Sequence, residues 1–176
     1  DLPGKQDVLR YVLTANSPET KDSEFTWSDF QTRNNSELVG IYGNFVNRVT
    51  VLIQKFFEGK VPAAGASEAT DADVLGELAA FPEKIGTAIE SYRFREATSL
   101  IMDLARLGNK YLADTQPWHV IKTNPERVGT ILNIAAQITG ALAIVSEPVL
   151  PFTAEKIKRQ LGLPDTKWAD AGRSGL

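Results

Sequence analysis

The sequence predicts an all-α protein, an antiparallel bundle of four to five helices. Apolar residues recur at alternating three- and four-residue intervals through long stretches, the spacing of one buried helix face. Short segments rich in Pro, Gly, Ser and Asn separate those stretches. No run alternates apolar with polar residues as a half-buried strand does.

Residues 7–15 read as a short helix with Val8, Leu9, Val12 and Leu13 apolar, stopped by Asn16-Ser17-Pro18. Residues 19–24 are polar and read as a surface connection. Ser28 is the expected cap of a long first bundle helix, with Gln31 completing a capping box and Asp29 suited to the positive helix end. Its buried stripe is Leu38, Tyr42, Phe45, Val49, Leu52 and Phe56, and the helix should end near Gly59. A Gly-, Ala- and Pro-rich loop follows. Thr70 with Asp71 and Asp73 suits a second helix start, and Pro82 should kink or interrupt that helix, since it lacks an amide hydrogen. A third helix carries Phe94, Ala97, Ile101, Leu104, Gly108 and Tyr111, and Thr115-Gln116-Pro117-Trp118 breaks it. The fourth, with Val128, Ile131, Ala135, Ile138, Leu142 and Val145, should be the most buried. Pro148 ends it, and Pro151 fits the first turn of a fifth helix over 152–161. The remainder shows no periodicity and reads as loop.

The chain has 176 residues, enough to close a hydrophobic core as one domain. It has no window of eighteen uninterrupted apolar residues, so no membrane span is expected, and no start resembling a signal peptide. There are no cysteines, which excludes disulfides, thiolate catalysis and cysteine-ligated zinc in this sequence. With 19 Lys and Arg against 22 Asp and Glu, the net charge of -3 argues against general affinity for nucleic acid. Any RNA contact must come from a local group of basic, amide and aromatic side chains.

No self-contained active site is legible. His119 is the one histidine, with no nucleophile in an obvious motif beside it, so no catalytic residue and no metal site are assigned. Phosphate-cradling glycine loops are absent. Asp71, Asp73, Glu77 and Glu83 read as a solvated helix face. Two polar features stand out instead. Asn44, a poor helix former, lies within the first bundle helix, and Arg48 follows four residues later on the same side. In a regular helix their strip, shared with Glu37 and Lys55, lies about 80–120° from the apolar stripe and faces outward. An amide and a guanidinium fork can read base edges and phosphates. Trp118 follows the third helix, which in an up-down bundle ends on the side where the first ends, near Arg48. An indole there can stack on an unpaired base. Residue type alone leaves other roles open: a core anchor for Trp118, and a surface polar pair for Asn44 and Arg48.

Residues 35–48, with Gly43, Asn44 and Arg48 in a Gly-Asn-x-x-x-Arg pattern, resemble the first anticodon-domain helix of methionyl-tRNA synthetases. Asp7-Val8-Leu9-Arg10-Tyr11 resembles the segment after the catalytic signature loop of class I synthetases. Asn109 and Tyr111 followed by Pro117-Trp118, and Pro148-Val149-Leu150-Pro151 before the last helix, are similar to the same class. The ordered set spans residues 7–162. The resemblance implies a C-terminal anticodon-binding domain over 28–162, with 1–27 as the connection from an absent catalytic domain and 163–176 as a tail. It implies that Asn44, Arg48 and Trp118 bind the anticodon loop of tRNA(Met), reading CAU, with the indole on the wobble cytosine. Signatures of the HIGH and KMSKS types are absent, so the ATP, methionine and optional zinc of the family belong to the absent parts, and this portion alone should be inactive. The implied partners are tRNA and the catalytic domain of the same polypeptide, in the cytoplasm, without DNA or membrane. Two other readings remain at this stage: a leucyl-, isoleucyl-, valyl- or cysteinyl-type anticodon domain, and a helical protein-interaction module.

Overall fold

The computed structural model describes residues 5–19, 22–163 and 165–172. Parts of the expected connection (1–4, 20 and 21) and of the expected tail (164 and 173–176) lie outside the described residues. The architecture is all-helical, with no strand among the described residues.

Helix α1 is Gln6–Ala15. A long rod follows, made of α2 (Trp27–Arg33), a π-helical stretch (Asn34–Gly43) and α3 (Asn44–Phe57). Then come α4 (Ala69–Glu90), α5 (Phe94–Thr115), the single turn α6 (Pro117–Val120), α7 (Pro125–Ser146) and α8 (Pro151–Gln160). A 3-10 turn, Trp168–Asp170, closes the described chain. Counting the rod as one helix and leaving aside the short turns, six principal helices stand among the described residues where four to five were expected. The sixth, α1, lies in the stretch read as a connection and buries Tyr11 and Val12 against the bundle.

The core is built around α7. From Val128 to Ser146 every residue but Asn133 is buried, because this helix is apolar on all sides. By length and composition it could cross a membrane, yet here it is surrounded by protein: α3, α4, α5 and α8 all pack on it. α5 packs against α4 and α7 and also meets α3.

Local chemistry moves several boundaries. The cap of the long rod is Thr26, not Ser28: Thr26 is extended, and its hydroxyl accepts from the Asp29 amide at 3.1 Å. Trp27 and Ser28 are already helical there. α4 starts at Ala69 rather than Thr70, because Glu68 and Asp71 cap each other reciprocally. Pro82 neither ends nor splits α4, which runs through it for 22 residues. Pro82 is buried, so tertiary packing outweighs the missing hydrogen bond. The rod departs from regular 3.6-residue winding over Asn34–Gly43. A Cβ at Gly43 would stand 2.9 Å from the Leu38 carbonyl oxygen, and one at Gly40 3.1 Å from that of Asn35. Both glycines thus suit the wider winding. The expected loop after Gly162 includes the 3-10 turn, whose Trp168 indole lies 3.5 Å from where a Gly86 Cβ would be.

Candidate nucleic-acid interface

α3 and α5 meet at a glycine. The Phe45 ring occupies the space a side chain at Gly108 would need, since a Cβ there would lie 2.3 Å from it. The approach seats the next residues on each helix, Asn44 and Asn109, against each other. Asn44 Nδ2 donates to Asn109 Oδ1 at 3.0 Å, and an Arg48 guanidinium nitrogen donates to the same oxygen at 3.4 Å. Asn109 is itself held: its Nδ2 donates to the Ile41 carbonyl at 2.9 Å and to the Ala105 carbonyl at 3.1 Å. Ile41 lies in the π-helical stretch, so one amide ties that stretch, α3 and α5 together.

Trp118 joins the group from α6. The Arg48 guanidinium sits over its ring, 5.1 Å from the centroid. The indole is half-buried at the rim of the core, and Asn44 is exposed. Asn44, Arg48 and Trp118 are therefore brought together on one open edge. Glu37 does not join them: it accepts from the Tyr11 hydroxyl at 2.6 Å and pairs with Arg33 at 3.3 Å. The π-helical winding between Glu37 and Asn44 breaks the regular spacing that put both on one strip. Lys55 lies over Phe56 instead, at 5.4 Å.

The turn carrying Trp118 is set by two devices. Gln116 has φ 44°, a left-handed conformation that ends α5 and opens α6, and the buried Pro117 fills the first position of α6. Beneath the turn, the Tyr111 hydroxyl donates to Asp71 at 2.6 Å, and Arg127 grips the same carboxylate with two nitrogens at 2.5 and 2.9 Å. Asp71 is fully buried, which corrects the solvated-face reading for this residue; Asp73, Glu77 and Glu83 are exposed. Periodicity placed Asp71 near a helix start, but could not foresee an arginine from α7 arriving above it. Burial pushes the Asp71 carboxyl up, yet hydrogen bonds from Arg127, the Glu68 amide and Tyr111 hold it below the usual carboxylate range. The same burial and the Asp71 charge push the Tyr111 hydroxyl far up, so it stays a donor.

Sequence reading had Asn109 and Tyr111 within a pattern but assigned neither a site role, and it missed Arg127. The available signal was an amide bordering the apolar stripe of the third helix, next to its one glycine.

These groups support recognition rather than bond making. Asn44 engages its amide nitrogen with Asn109, which leaves its oxygen to accept from an exocyclic amino group. Arg48 offers further donors, and the indole a π-face. Among the described residues no cluster of three or more His, Asp or Glu side chains could hold a metal, and the sequence has no cysteine.

Residues 61–176 match the family described as the anticodon binding domain of methionyl tRNA ligase, and residues 3–50 match class I tRNA synthetases of the methionine type. A methionine–tRNA ligase of Cytophaga hutchinsonii is 60% identical over 176 residues, all of this chain and 26% of that protein. One of Bacteroides fragilis is 56% identical with the same coverage. The chain thus spans about a quarter of the length of the curated relatives it matches. The crystal structure of apo Mycobacterium tuberculosis methionyl-tRNA synthetase shares the fold, with a TM-score of 0.82 over 92% of this chain and 35% of that one, at 24% identity.

Proposed function

The chain belongs to the family of methionyl-tRNA ligase anticodon-binding domains, and from that premise we propose that it reads the CAU anticodon of tRNA(Met). The observation that supports this most is the convergence of an exposed amide and a guanidinium on Asn109, with an indole beneath that guanidinium. Trp118 stacks on the wobble cytosine, while Asn44 and Arg48 bond base edges and phosphate. Residues 28–162 form the reading domain, 1–27 join it to a catalytic part and 163–176 are its tail.

The full-length protein is a methionine–tRNA ligase that works on ATP and methionine in the cytoplasm. In that enzyme the reading domain acts by placement: a bound anticodon orients the tRNA so that its acceptor end reaches the distant active site, turning an encounter into an intramolecular step. With a net charge of -3, this chain contributes base discrimination more than bulk electrostatic affinity. A zinc ion of the whole enzyme would find its ligands outside this chain, which offers no cysteine.

Tryptophan emission tests the reading. With Trp27 and Trp168 replaced by Phe, Trp118 is the sole emitter. A CAU anticodon stem-loop should quench it, whereas a scrambled loop should not. Equal indifference to both loops would refute the assignment of the reading to Trp118.

A further inference from the structure

Two short motifs that the reading edge does not use meet each other in the fold. Asp7 and Arg10 lie three residues apart on α1, so both face one side of it. That side meets the corner between α7 and α8, 138 to 146 residues further along the chain. The buried Asp7 carboxylate accepts from the Thr153 amide at 2.6 Å and from the Phe152 amide at 3.4 Å. These are first-turn amides of α8, which have no partner within the helix, and Leu150 before it provides no side-chain cap. Arg10 donates to the Pro148 carbonyl at 2.8 Å and, through Nε, to the Val149 carbonyl at 3.3 Å. An acid thus holds the positive start of one helix, while a base holds the carbonyls just past the end of another.

On the reading of residues 1–27 as the join to a catalytic part, we propose that Asp7 and Arg10 are positioning residues for tRNA charging. Their clasp fixes the direction in which α1 runs, and with it the place of the catalytic part relative to the reading edge. The clasp crosses from the stretch matching class I synthetases, residues 3–50, to the stretch matching the anticodon domain, residues 61–176. α1 has ten residues, too few to hold a helix by itself, so its direction depends on what it touches. Tyr11 and Val12 bury one side of it, and Asp7 and Arg10 add a polar seat with fixed bond directions.

The reading edge is held by other bonds. Asn44 and Arg48 donate to Asn109, Asn109 donates to Ile41, and Arg48 lies over Trp118. α7 and α8 pack on each other directly. A loosened clasp therefore leaves the anticodon site formed and changes where the chain enters the domain. Charging is sensitive to that entry, since a displacement of about 1 Å at a reacting centre can cost on the order of 100-fold in rate.

Two variants of the full-length ligase test the clasp. Asp7→Asn turns one acceptor oxygen into an N–H donor facing an amide, and Arg10→Gln, at an exposed residue, removes the guanidinium. Each should lower kcat/KM for methionylation of full-length tRNA(Met) by about tenfold or more. Methionine-dependent exchange of pyrophosphate with ATP, which needs no tRNA, should stay at the wild-type rate. Affinity for a CAU stem-loop should also be unchanged, whereas a merely structural role would lower it along with charging. Wild-type charging in both variants, or a loss of exchange or stem-loop affinity that parallels the loss of charging, overturns the assignment. Should Asp7→Asn lose its helical circular dichroism, Arg10→Gln decides alone. Stem-loop binding by the wild-type protein reports separately on the anticodon reading, so the two can fail independently.

Discussion

The Arg48 guanidinium stands 5.1 Å from the centroid of the Trp118 ring, linking α3 to the turn after α5 through a cation–π contact. Such a contact contributes about 0.5–2 kcal/mol, depending on how dry it is. It also holds the indole at the bundle edge before any ligand arrives. One face of the ring meets a cation.

Trp118→Ala should weaken binding of a CAU stem-loop by about 1–3 kcal/mol through lost stacking. Trp118→Phe, which keeps a π-face, should cost less. Circular dichroism should remain helical for both, since the indole is only half-buried. If Trp118→Ala unfolds the chain yet wobble discrimination survives in the folded fraction, the ring is structural.

Asn44→Ala and Arg48→Ala should each cost about 1–3 kcal/mol in stem-loop affinity if each contacts a base edge. Asn109→Ala should reproduce part of both losses, because one Oδ1 receives both side chains. A double-mutant cycle between Asn109→Ala and Arg48→Ala should show coupling of about 0.5 kcal/mol or more. Strict additivity in binding titrations would mean that Asn109 does not orient its neighbours.

Gly108→Ala should destabilise the chain by about 1–3 kcal/mol through overpacking against Phe45. Urea unfolding measures this. Adding Phe45→Leu should restore part of the loss. Wild-type stability of the single variant would show that the α3–α5 approach tolerates a methyl group.

Asp71→Ala should cost about 3–5 kcal/mol, because it removes the buried acceptor of both Tyr111 and Arg127 and leaves Arg127 with Glu68 alone, at 3.0 Å. The pH dependence has a definite sign. The folded carboxyl titrates below the ordinary aspartate value of about 3.9, so its stabilisation is complete above that pH and is lost as pH falls through the folded pKa. Asp71→Asn, which cannot ionise, should flatten the fall of stability with pH in that acid window. An unchanged acid-unfolding slope would remove Asp71 from the account.

The helices were legible because their signal is local. Three-four spacing named the stripes from Leu38 to Phe56 and from Val128 to Val145, and Pro151 marked the start of α8. The π-helical winding was not legible: Gly40 and Gly43 permit it, but glycine permits many conformations. Thr26 outcompeted Ser28 for the cap by a difference in backbone angle that composition does not encode.

The candidate site divides the same way. Asn44 and Arg48 were legible as a polar pair four residues apart, and Trp118 as an aromatic in a helix-breaking turn. The meeting of Asn44 and Arg48 on Asn109, the seating of Trp118 under Arg48, and the burial of Asp71 arise from pairs far apart in the chain: 65 residues from Asn44 to Asn109, 56 from Asp71 to Arg127. Periodicity reports only which face of a helix avoids water. Which helix meets that face, and which amide, ring or ion pair arrives with it, depends on how all the helices pack at once, and that is settled only when the chain is folded.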